Sequence, residues 1–115
     1  MATIDYEDSD AEVRLVRMGG RLDGPGIDLI SAKFAALACT QSKRVVVDLR
    51  TVTYIASVGI RELVSNAKAN KQRGGKFVIF VGDNADVFNT LDTTGIGSFI
   101  SVFQDLTQAV AAVNS

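Results

Sequence analysis

The 115-residue chain contains no His and no Trp, one Cys, one Pro and two Met. Without His it lacks the usual general base, the commonest metal ligand and any partner for a Ser-His or Cys-His pair. Acid–base chemistry would fall to Lys, Tyr or carboxylates. Cys39 alone can close no internal disulfide and build no Cys-rich zinc site, and a lone thiol points to a reducing compartment, the cytoplasm. Long apolar runs are missing too: the longest, Phe34 to Cys39, is six residues, and the first ten residues carry four acids and no base. Neither a membrane-inserted helix nor a signal peptide is expected. A net charge of −1 lacks the basic excess that contact with a phosphate backbone requires, so no nucleic-acid partner is expected either.

What is present suffices for one domain spanning residues 1–115. Hydrophobic residues make up 47% of the chain, and at this length about two-thirds of the surface is buried on folding, with no need of a disulfide or metal. Charge is unevenly spread. Residues 1–12 hold five acids and no base, whereas residues 61–76 hold Arg61, Lys68, Lys71, Arg73 and Lys76 against Glu62 alone.

Ile4–Glu7 and Val13–Met18, separated by Asp8-Ser9-Asp10, read as an antiparallel strand pair, with Gly19-Gly20 breaking or bulging the second. Leu22-Asp23-Gly24-Pro25 turns into a helix with Pro25 at its first position. Its apolar face is Ile27, Ile30, Phe34, Leu37 and Ala38, and residues 40–43 form a polar connection. Val45–Leu49 is apolar and β-branched enough to be a central strand covered on both faces. A second helix starts at Ser57, with Ile60, Leu63, Val64 and Ala67 inward and Arg61 and Lys68 outward, and Gly74-Gly75 stops it. Phe77–Val81 is another buried strand. Gly82-Asp83-Asn84 caps a third helix with Val87, Phe88 and Leu91 inward, ending near Thr94-Gly95, and Phe99–Phe103 reads as a short edge strand. Asp105-Leu106-Thr107-Gln108 has capping-box form and opens a last helix with Leu106, Ala109, Val110 and Val113 on one face. The order β-β-α-β-α-β-α-β-α implies an α/β domain: a mixed sheet, antiparallel at its start and parallel thereafter, with helices packed against it.

Motifs for catalysis are weak. Ser57-Val58-Gly59 matches half of a nucleophile elbow, but Ile55 stands where the first glycine belongs and no His exists to activate the hydroxyl. Gly95-Ile96-Gly97 precedes a strand and lacks the third glycine of a dinucleotide fingerprint. No enzyme activity, cofactor or metal is expected. Ser57 carries two open readings: an N-cap hydroxyl, or a phosphoacceptor at the positive end of a helix, where a phosphate would add about −1.5 to −2 charge. Arg61 and Lys68, with Ser65 between them, form either a solvated face or a docking strip for an acidic partner. Asp23 is either a turn former or an exposed contact. Asp48, at the end of an apolar strand, is expected to pair with nearby backbone N–H groups.

In order along the chain, Gly20-Arg21-Leu22-Asp23, Val46-Val47-Asp48-Leu49, Tyr54-Ile55-Ala56-Ser57-Val58-Gly59-Ile60, Gly74-Gly75 and Thr94-Gly95-Ile96 resemble the STAS domain of the anti-sigma factor antagonist (anti-anti-sigma) family. The likeness covers nearly the whole chain. It implies a four- or five-stranded mixed sheet with about four helices mainly on one side. It also implies a non-enzymatic partner switch: the domain binds an anti-sigma factor that is also a serine kinase, the kinase phosphorylates the acceptor serine, and a serine phosphatase reverses this. By resemblance Ser57 is the acceptor, and the docking surface gathers around Asp23, Ala56, Val58, Gly59 and Arg61. One position departs from the family pattern: Ala56 stands where the family has Asp. That departure favours the alternative of an unphosphorylated scaffold or accessory subunit of a signalling or transport complex. A third implied class is small-molecule sensing, since family members are reported to bind nucleotides and lipids.

Overall fold

The computed structural model describes residues 1–9, 12–39 and 44–115. Asp10 of the first polar connection and the whole connection over 40–43 lie outside the described residues. The elements are β1 (Thr3–Asp8), β2 (Val13–Leu22), α1 (Gly24–Cys39), β3 (Arg44–Ile55), α2 (Ser57–Gln72), β4 (Lys76–Phe80), α3 (Ala85–Thr94), a short 3₁₀ helix (Ile96–Ser98), β5 (Val102–Phe103) and α4 (Leu106–Val113). One five-stranded sheet runs β1-β2-β3-β4-β5, antiparallel between β1 and β2 and parallel elsewhere.

β3 shows why the sheet is covered on both faces. Val45, Val47 and Leu49 point into the larger core with α1, α2 and α3, through Ile27, Ile30, Phe34, Leu63, Val87 and Leu91. Val46 points the other way, into a smaller core with Val13, Val78, Phe80 and the α4 residues Ala109 and Val113. Three helices therefore cover one face and α4 the other, as an apolar run in strand alternation requires.

Both long strands outrun their apolar stretches. β2 continues through Gly19-Gly20 to Leu22 by shifting register against β3 on either side of the pair, with Gly20 at φ +79°. A Cβ on Gly20 would lie 1.9 Å from the Met1 carbonyl oxygen, so only glycine fits there. β3 continues past Leu49 to Ile55. The Asn84 side-chain amide holds that extension by donating to the carbonyls of Leu49, Arg50 and Val52 at 3.2, 3.1 and 2.8 Å, while its Oδ1 caps α3 by accepting from Val87 N–H.

Other expectations are met or displaced by small amounts. The Gly74-Gly75 stop is a Schellman motif: Gly74 N–H donates to the Lys71 carbonyl and Gly75 N–H to that of Asn70, both at 3.0 Å. Pro25 is the second helical residue, because α1 starts at Gly24. The buried line of α2 runs through Gly59, Leu63, Asn66 and Asn70, with Ile60, Val64 and Ala67 only half-buried on its flank. The strand expected over Phe99–Phe103 shrinks to Val102–Phe103, since the 3₁₀ helix carries the chain to Ile100, which is buried in the core. Asp105 caps α4 by accepting from Thr107 N–H at 2.9 Å, without a reciprocal bond from Gln108 among the described residues. Asp48 is buried and accepts from Arg50 N–H as expected, and it also pairs with the Arg50 guanidinium at 2.8 Å.

Candidate functional site

Parallel pairing of β2 with β3 places Leu22 beside Ile55 at the strands' ends. The two helices that follow, α1 and α2, therefore begin side by side at the C-terminal ends of these strands, with their N–H-rich ends together. Ala56 N–H donates to the Leu22 carbonyl at 3.0 Å, fastening the two turns to each other. Gly59 is buried in that junction. A Cβ there would meet the Leu22 carbonyl oxygen at 2.7 Å and Ile55 Cγ1 at 2.9 Å. Its part in the site is thus to let α2 sit against β2, and it offers no exposed side of its own.

Asp23 caps α1. Its Oδ1 accepts from Gly26 N–H at 2.9 Å, and its Oδ2 accepts from Arg21 Nε at 3.1 Å. The Gly26 N–H bond first, and the Arg21 guanidinium second, hold the carboxyl below the usual aspartate range. The two readings of Asp23 meet: it forms the turn and leaves part of its side chain accessible. Arg21 in turn lies over the Tyr54 ring at 4.5 Å. This exposed stacked pair beside Asp23 escapes sequence reading, because it depends on the shifted register that sets Arg21 against Tyr54.

At the start of α2 the N-cap residue is Ala56, with φ −91° and ψ 173°, and no side chain caps the helix. Ser57 is the first helical residue, so its hydroxyl is not an N-cap as one reading held. It is exposed and makes no hydrogen bond among the described residues. The first intrahelical bond is Ile60 N–H to the Ala56 carbonyl at 3.1 Å, which leaves the N–H groups of Ser57, Val58 and Gly59 ahead of the ladder. An Asp at position 56 would have offered them a carboxylate; Ala56 cannot.

Val58 is half-buried against the core, and Arg61 is exposed one turn beyond Ser57. Ser57, Arg61, Ser65 and Lys68 form an exposed stripe, beside which runs a shallow groove of about 570 Å³ bordered by Val58 and Val64. Glu62, the acid of this helix, is turned inward: its Oε2 accepts from Ser31 Oγ at 2.8 Å and from Asn66 Nδ2 at 3.1 Å. The stripe is therefore basic. Ala56, Ser57, Val58 and Arg61 are brought together, with Asp23 across the Leu22–Ala56 hydrogen bond and Gly59 beneath.

Among the described residues no helix is long and apolar enough to cross a membrane. No curated protein sequence matches the chain. Solved structures do: an anti-sigma factor antagonist from Mycobacterium paratuberculosis matches with a TM-score of 0.87 at 23% identity, covering 100% of this chain and 96% of that one. A putative anti-sigma factor antagonist from Thermotoga maritima matches at 0.84 and 18% identity, covering 97% and 95%. The murine Slc26a9 anion transporter matches at 0.75 and 15% identity, covering 98% of this chain but 22% of the transporter. At these identities the likenesses establish a shared fold. The family model described as STAS domain matches residues 6–109, and with nearly the whole chain inside that match and the five-stranded sheet in place, the protein belongs to the STAS domain family.

Proposed function

We propose that this domain is an anti-sigma factor antagonist acting by partner switching in the cytoplasm. It binds an anti-sigma factor with serine kinase activity while Ser57 is unmodified, and releases it when Ser57 carries a phosphate that a serine phosphatase later removes. The domain performs no catalysis itself. The observation that carries this reading is the Ser57 hydroxyl: exposed, without a hydrogen-bond partner among the described residues and first in α2, on a surface that also holds Asp23, Ala56, Val58 and Arg61 above the buried Gly59. The uncapped N–H groups and the helix dipole tolerate a phosphate there locally. The same dianion set inside a desolvated protein interface opposes docking, which makes the hydroxyl a switch.

Incubation with ATP and an anti-sigma factor kinase encoded in the same genome, followed by intact-mass measurement, tests the assignment. One phosphate is expected on wild type and none on Ser57→Ala; equal incorporation in both would remove Ser57 from the account.

Ala56 favours a second reading, in which the domain docks constitutively as a scaffold or as an accessory subunit of a signalling or transport complex. Without an acid beside the acceptor, phosphorylation would be slow or absent. Comparing wild type with Ala56→Asp in the same assay separates the two, since a phosphorylation that appears only in the variant supports the scaffold.

A further inference from the structure

A second surface lies at the far end of α2, eleven residues beyond Ser57, or about 17 Å along the helix axis. There a groove of about 550 Å³ opens between α2, the start of β4, the segment over 99–101 and α4. Its apolar lining includes Val64, Ala67, Phe77 and Phe99, and Phe99 is 75% exposed. Its rim carries Lys68, Lys71 and Lys76. These three are exposed and make no ion pair among the described residues, whereas Arg14, Arg17, Arg21, Arg44 and Arg50 each face a carboxylate.

The groove also contains an uncovered strand edge. β5 pairs only with Ile79 and Phe80, leaving Lys76–Val78 of β4 without a paired strand on that side among the described residues. Ile79 and Val81 N–H donate toward this edge, to the carbonyls of Ser101 and Phe103, each at 2.9 Å. The two-residue period of a strand aims the Phe77 N–H and carbonyl the same way, and no hydrogen bond to the 99–103 segment takes them up. An apolar floor, three cations without counter-charges among the described residues and a bare strand edge together select an occupant with an extended backbone, apolar side chains and negative charge.

We propose that this groove binds an extended, acidic and apolar segment of a partner protein, which adds as a short strand beside Phe77 and meets Lys68, Lys71 and Lys76 with its carboxylates. A volume of about 550 Å³ suits about four or five residues in the strand-addition mode. A second copy of this chain is a poor occupant: Asp5, Glu7 and Asp8 of its acidic edge are already held by Arg17 and Arg14. The groove shares Val64 and Lys68 with the stripe that runs along α2 from Ser57, while its strand edge at Phe77 and its rim at Lys71 and Lys76 lie beyond that stripe.

The test is a ¹H–¹⁵N NMR titration of the full chain with the capped peptide acetyl-Leu-Glu-Val-Asp-Leu-Glu-amide. In the free protein the Phe77 amide is expected to exchange with solvent much faster than that of Ile79. The peptide should shift the amides of Lys76, Phe77 and Phe99 saturably and slow exchange at Phe77. The Gln/Asn analogue of the peptide, and the protein variant Lys68→Gln/Lys71→Gln/Lys76→Gln, should each bind about tenfold more weakly, while Ser57→Ala binds as wild type does. A peptide N-methylated at alternate amides should lose binding. Equal binding of the N-methylated peptide would overturn strand addition, and equal binding by the triple variant would overturn the charge argument. Shifts confined to other residues would overturn the site. Saturable binding of octyl phosphate with none of the peptide would assign the groove to a small anionic amphiphile instead.

Discussion

Replacing Ala56 with Asp tests the reading of the α2 N-terminus at the level of stability. Residue 56 already has the extended backbone that an N-cap needs, at φ −91° and ψ 173°, and among the described residues no side chain serves the first-turn N–H groups. An Asp carboxylate there can accept from Val58 or Gly59 N–H without moving the backbone. Restoring a cap where Ala stood is worth about 1 kcal/mol, and a negative charge at the positive helix end adds a few tenths more. For a domain of this length the gain corresponds to a rise in Tm of roughly 5 °C. The sign of the pH dependence follows from the same bonds. Hydrogen bonds to the carboxylate lower its folded pKa, so the gain is full above the ordinary aspartate range and fades as pH falls through the folded value. Urea unfolding of wild type and variant between pH 7 and pH 3 measures both. An unchanged or lower midpoint at pH 7, or a gain that does not shrink on acidification, would refute the claim that this helix end is uncapped.

The unbonded Ser57 hydroxyl makes Ser57→Ala neutral within about 0.5 kcal/mol by urea unfolding, whereas an N-cap serine would cost about 1 kcal/mol. Gly59→Ala drives a Cβ to 2.7 Å from the Leu22 carbonyl oxygen. It should destabilise by about 1–3 kcal/mol in the same assay and broaden the Leu22 and Ala56 amide resonances. Asp23 titrates below the usual range because it accepts from Gly26 N–H and then from Arg21. Its stabilisation is present above the unfolded aspartate pKa and lost as pH falls through its lower folded value, so Asp23→Asn should show a shallower loss of stability on acidification than wild type.

Legibility differs from element to element for physical reasons. α1 and the Val45–Leu49 core of β3 were readable because one-sided 3.6-residue periodicity and a two-sided β-branched run each admit one packing solution. The extensions of β2 to Leu22 and β3 to Ile55 were not, since they rest on a glycine-bulged register and on Asn84 reaching across 32 to 35 residues to three carbonyls. α2 misled in part. Its buried line includes Asn66 and Asn70, whose side-chain N–H groups donate to the Glu62 and Ala38 carbonyls, and such partners leave no trace in an apolar pattern. At the site, the serine and its exposed basic stripe could be read directly. That Ala56 rather than Ser57 holds the cap position could not, because helix starts inferred from side-chain preference are uncertain by one residue. The Arg21–Tyr54 stack and the bare edge at Phe77 depend on strand register alone.

In the proposed switch, charge at Ser57 governs recognition. Isothermal titration of the anti-sigma factor kinase into the unmodified protein, and into the same protein phosphorylated at Ser57 and verified by mass, measures this in one comparison. Binding at least about tenfold weaker after phosphorylation is the predicted result; equal affinity for the two forms would contradict it.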